Sequence, residues 1–160
     1  MKILPFALLV LFVLADASAV SRAQDPEKPM WWASEESGDQ MLSYGTDNVE
    51  DVPISFACTP GKGIVNVWIN ETDRSVKANR SMTASLIAGA TTAKVKGKTM
   101  PNEEAGTPSF EGTMPASDPL FATLSKEQKL VFMVGKSRSD VPLKDIGDKA
   151  DKFIRLCQKK

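Results

Sequence analysis

Apolar and polar residues alternate over much of this chain, and the period of that alternation changes near its end. In "PISFAC", Ile54, Phe56 and Cys58 fall on one side of an extended segment. The same period of two recurs in "SMTASLIAG", through Met82, Ala84, Leu86 and Ala88, and in "AKVKGK", through Lys94, Lys96 and Lys98. "MWWAS" and "QMLSYG" read as two strands joined across "EESGD". "VPISFACTPGKGIVNVWIN" reads as a hairpin turning over Thr59 to Gly63, where Pro60, Gly61 and Gly63 punctuate the chain. "TPSFEGTM" is a further short strand, and "KLVFMVG" is the most apolar of all. "DPLFATLSKEQ" opens with Asp118 and Pro119, a helix-start signal, so a short helix is expected near 118–127. In the last segment Ile146, Ala150, Phe153, Ile154 and Cys157 recur at helical spacing and form one apolar stripe.

Many short strands with frequent turn signals predict a mainly β (α+β) fold. The expected architecture is an antiparallel β-sandwich or open barrel, with the short helix near 118–127 and a C-terminal helix packed on the sheet. Residues 99–118, rich in Pro, Gly and Glu, read as a long loop carrying one edge strand. "SRSDVP" reads as a turn.

The first 23 residues change the picture of where the chain works. Lys2 precedes the apolar run Ile3 to Ala15, and small residues follow, with Ala19 and Ala23 as cleavage positions. That order is the layout of a secretory signal peptide, and the run is shorter than the ~20 residues that span a bilayer. Residues 24–29 then read as a polar leader and 30–160 as a single β-rich domain. No later run is long enough to span, so no transmembrane anchor is expected in the mature chain. The expected home is exported: periplasmic, or alternatively extracellular.

Charge and cysteine content follow from that cut. The whole chain has 20 basic and 20 acidic side chains, and residues 1–23 hold Lys2, Arg22 and Asp16, which leaves 18 against 19. A chain so nearly neutral lacks the basic footprint of a nucleic-acid binder, so no nucleic acid is expected among its partners. The two cysteines, Cys58 and Cys157, both point inward from their own elements, and an exported compartment favours their pairing. The bridge would fasten the last helix to an early strand.

Catalytic chemistry has few materials. Gly135-Lys136-Ser137 resembles the end of a phosphate-binding loop, but the glycine that should stand five positions ahead of Gly135 is Leu130, and no helix follows. The chain has no histidine, so the usual general base and triad partner are absent. No catalytic residue, metal site or cofactor is assigned. Asp145, Asp148 and Asp151 share a helix face in this reading, but Lys144, Lys149 and Lys152 stand among them, as on a salt-bridged surface. Adjacent acids such as Glu35/Glu36 and Glu103/Glu104 point to opposite sides of an extended chain. A carboxylate-based hydrolase would therefore need acids from separate loops.

Two groups of residues remain as binding candidates. Trp31, Trp32, Tyr44 and Trp68 are possible ligand contacts. Because Trp31 and Trp32 are adjacent on a strand, one is expected in the core and the other partly exposed. Lys94, Lys96 and Lys98, with Arg74, Lys77 and Arg80 nearby, form a possible anion-binding patch for a cell-envelope polymer or lipid headgroup. The competing role is a solvated strand face. Asn70-Glu71-Thr72 and Asn79-Arg80-Ser81 match the N-glycosylation acceptor pattern.

One resemblance adds to this. "MLSYGTDNVEDVPISFACTPGKGIVNV", followed by "SDPLFATLSKEQKLVFMVGKS", "VPLKD" and "FIRLC", resembles a group of small exported alphaproteobacterial proteins of uncharacterised function. The likeness covers roughly residues 30–69 and 117–157, and its motifs are structural. It implies a periplasmic home and a Cys58–Cys157 bridge, and it supplies no activity. The functional expectation is an exported envelope protein, a non-catalytic binding or interaction module whose partner is a protein or envelope component. The alternatives are a carboxylate-based hydrolase and an inhibitor of a hydrolase.

Overall fold

Three tight hairpins set the register of the sheet. Strand β1 (Met30–Glu36) meets β2 (Asp39–Gly45) across Ser37 and Gly38, both at positive φ. Gly89 and Ala90 join β5 (Ser81–Ala88) to β6 (Thr91–Met100), and Gly135 and Lys136 join β8 (Lys129–Val134) to β9 (Ser137–Pro142). In the last two, glycine at positive φ takes the first turn position, as two-residue hairpin loops require. The Gly-Lys-Ser stretch is therefore a hairpin tip. The segment "SRSDVP" is a strand, where a turn was expected. Its inward positions include Ser137 and Ser139, so it lacks the apolar alternation that marks the other strands.

This computed structural model describes residues 28–46, 51–70 and 72–158. The signal peptide and residues 24–27 of the polar leader lie outside the described residues. Among the described residues, nine strands form one antiparallel sheet in the order β1-β2-β3-β4-β7-β6-β5-β8-β9, with β3 at Ile54–Cys58, β4 at Ile64–Ile69 and β7 at Ser109–Pro115. The sheet curls into a half-barrel, so of the two expected architectures it is the open barrel that forms. Strands β4 to β7 make a Greek key: β5, β6 and β7 follow one another, and β7 returns beside β4.

Two details allow the curl. Gly97 and Gly112 face each other across β6 and β7, and a side chain on either would strike backbone: a Cβ at Gly97 would lie 2.0 Å from the Glu111 carbonyl oxygen and 2.7 Å from the Phe110 ring. The fully buried Phe110 ring fills the space that the two glycines leave. At the outer edges, Trp31 Nε1 donates to the Pro142 carbonyl at 2.6 Å, tying β1 to β9 across the mouth of the half-barrel.

Two helices pack on the inner face. Helix α1 (Pro119–Leu124) is opened by Asp118, whose carboxylate accepts from the Leu120 amide at 2.9 Å. Helix α2 (Gly147–Cys157) carries Ala150, Phe153 and Cys157 inward. A chain of rings, Tyr44–Trp31–Phe56–Phe121–Phe153, runs from the sheet through α1 to α2 with centroid spacings of 5.5 to 6.4 Å. The expected disulfide is present: Cys58 and Cys157, both fully buried, are joined with a Cα separation of 5.6 Å. Beside it, the Gly61 and Gly63 amides donate to the Leu156 and Cys157 carbonyls at 2.9 Å. These two bonds satisfy carbonyls that a helix C-terminus leaves without partners. The turn between β3 and β4 thus caps the last helix, a role that its glycine spacing alone did not reveal.

Candidate functional site

The tryptophans separate by strand parity. Trp31 is 1% exposed and stacks on Phe56 inside the half-barrel; Tyr44, its partner across β1 and β2, shares that inner face. Burial raises the Tyr44 phenol above its ordinary pKa. Trp32, one residue along, faces outward. The register then places Trp32 opposite Ser43, Ser43 opposite Ser55, and Ser55 opposite Trp68. Directly paired residues share a face. Four outward side chains therefore cross β1 to β4 in one row, with an indole at each end and two serines between. At about 4.8 Å per strand, the two tryptophan backbones are about 14 Å apart.

This row is unusual for an outer face. Ser43 and Ser55 are only 1% and 6% exposed. They form a floor of small side chains below the larger Trp32 and Trp68, and Ala57 extends it beside Met41 and Asn66. Ser43 Oγ and Trp32 Nε1 are both buried and have no hydrogen-bond partner. A buried hydrogen-bonding group left unmade costs about 1–3 kcal/mol, and native structures contain few of them.

The same row continues past Trp68 into charge. Trp68 pairs with Glu111, Glu111 with Lys98, and Lys98 with Ser81. Lys94, Lys96 and Lys98 are all exposed along β6; Lys94 donates to Ser85 Oγ at 2.7 Å. Lys96 and Lys98 line a shallow hollow of about 380 Å³ together with Ser81, Glu111 and Thr113. Lys77 and Arg80 line another hollow, with Lys136, around Met82.

A larger polar cleft, about 570 Å³, lies at the end of the half-barrel between Asn70, Thr72 and Asp73, the 101–108 loop and the start of β9. It gathers Asn70, Asp73, Asn102, Glu104 and Arg138 from three distant segments, a convergence that no local pattern announces. Much of its polarity serves the loops themselves. The buried Ser137 hydroxyl accepts from the Asp73 backbone amide at 3.0 Å, Asn102 Oδ1 accepts from the Ala105 backbone amide, and Asn70 Nδ2 donates to the Val52 carbonyl at 2.8 Å. The Ser75 hydroxyl and amide donate to the Asp73 carboxylate, holding its pKa below the ordinary aspartate value. An acid held ionised in this way is poorly matched to proton donation near neutral pH.

The helical acids do not assemble. Asp145 precedes α2 with a left-handed backbone, so it does not share a helix face with Asp148 and Asp151. Among the described residues, no three His, Cys, Asp or Glu side chains come together as a metal site, and no helix is long and apolar enough to cross a membrane. Comparison with protein-family models, curated proteins and solved structures finds no match to this chain.

Proposed function

We propose that this chain is an exported, periplasmic binding module, non-catalytic, whose ligand rests on the outer face of the half-barrel between Trp32 and Trp68. The disulfide and the signal-peptide layout of residues 1–23 support export. The binding reading is carried by one observation: two outward indoles flank a serine floor in which Trp32 Nε1 and Ser43 Oγ lack partners. Indoles combine a large apolar surface with a single donor, which suits a ligand with a flat apolar face and a polar rim. The idle serine and indole groups suit that rim.

The test uses the oxidised protein and the indole N–H resonances of its three tryptophans. Trp31 serves as an internal reference, because its Nε1 is held by Pro142 inside the fold. A ligand of the proposed kind shifts the Trp32 and Trp68 signals and leaves Trp31 in place. Turnover of an envelope-derived polymer, lost in Asp73→Asn or Glu104→Gln, would replace this reading with the hydrolase alternative.

A further inference from the structure

The outer-face row has two chemically different halves, and together they specify a class of ligand. From β1 to β5 it reads Trp32, Ser43, Ser55, Trp68, Glu111, Lys98, Ser81. The first half is aromatic and hydroxylic. The second is a hollow with two lysines on its rim. Trp68 and Lys98 stand two strands apart, about 10 Å. A ligand lying across the strands would meet ring faces first and cations next.

We propose that this row binds one strand of an acidic polysaccharide, laid perpendicular to the β-strands. The inference rests on the binding reading above and adds the ligand class. A pyranose ring offers an apolar C–H face to an indole and hydroxyls at its edge. Hydroxyls both donate and accept, so they can satisfy Trp32 Nε1 and Ser43 Oγ together. Both atoms are buried in the free protein, so on this proposal the side chains that cover them move aside as the sugar binds. Farther along, a uronate carboxylate or an ester phosphate or sulfate reaches Lys98 and Lys96, while Glu111, between Trp68 and Lys98, accepts hydrogen bonds from ring hydroxyls.

The charges argue against the other polyanions. A nucleic-acid binder carries a strongly basic footprint, whereas this chain balances 20 basic side chains against 20 acidic ones. A membrane surface would favour protruding apolar side chains beside the lysines, whereas the outward residues next to Lys98 and Lys96 are Ser81, Thr83, Glu111 and Thr113.

The experiment follows the three indole N–H signals during titration with four probes at low and at physiological salt. They are a galacturonic acid hexamer, the neutral glucose hexamer cellohexaose, a thymidine oligonucleotide, and vesicles rich in anionic phospholipid. The expected result is that the galacturonate shifts Trp32 and Trp68 but not Trp31, and binds more tightly than cellohexaose. The preference should narrow with salt. Lys96→Ala/Lys98→Ala, both exposed, should weaken galacturonate binding about tenfold and leave cellohexaose unchanged. Equal binding of the two hexamers, or tighter binding of the oligonucleotide or the vesicles, overturns the acidic-polysaccharide assignment and leaves the binding module standing. Silence of Trp32 and Trp68 toward all four probes overturns both.

Discussion

The clearest quantitative consequence of the fold concerns the Cys58–Cys157 bridge. Changing either cysteine to alanine opens it without burying an unpaired hydroxyl. The bridge spans a sequence separation of 99 residues. In the chain-entropy description, a closed loop of that size lowers the entropy of the unfolded chain by about 16 cal/mol/K, or about 4.7 kcal/mol at 25 °C. Single-domain stabilities are typically about 5–15 kcal/mol, so the loss brings the variant close to the unfolding threshold. The loss should not double when both cysteines are changed, because either substitution alone opens the same loop. The assay is equilibrium unfolding in urea for the oxidised protein, each single variant and the double variant. We expect a large fall in the midpoint for each single variant and little further fall for the double. Variants within about 1 kcal/mol of the oxidised protein would refute the reasoning, because a loop this long leaves its whole entropic contribution in the unfolded state.

Three further outcomes follow from particular contacts. Trp31→Phe keeps the ring stack but removes the donor to Pro142, and should cost about 1–3 kcal/mol, read as a lower thermal midpoint. Ser43→Ala deletes a buried hydroxyl that has no partner, so it should leave the midpoint unchanged or raise it while weakening ligand binding; a substantial loss of stability would show that the hydroxyl is satisfied in the fold. Asp73 has a folded pKa below its unfolded value, so its contribution is present above the ordinary aspartate pKa of 3.8 and is lost as pH falls through the folded value. Asp73→Asn should flatten that acid limb of the stability–pH curve, and an unchanged limb would assign it to other carboxylates.

Local pattern carried much of the architecture. The alternation of Ile54, Phe56 and Cys58, and of Met82 through Ala88, marks inner-face positions of real strands, and Asp118-Pro119 opens a real helix. Strand β9 escaped because Ser137 and Ser139 stand where apolar residues normally advertise burial. Ser137 faces the Asp73 amide there, not an apolar neighbour. The site was less legible for a different reason. Adjacency alone separates Trp31 from Trp32, since neighbours on a strand oppose. That Trp32 and Trp68 share one row depends on the register of four strands. Register is a long-range property, which no window of a few residues contains.

The capped end of α2 has a consequence in time. The amides of Gly61 and Gly63 and the thiol of Cys58 belong to an early hairpin, yet their partners are Leu156 and Cys157. On a nascent chain these groups wait while 99 further residues are made, about 5–20 s at ordinary rates of synthesis. A product truncated ahead of Leu156 would present an unclosed hairpin and a lone thiol. Completion of the bridge thus reports that the chain has been made, and carried into an oxidising compartment, as far as Cys157.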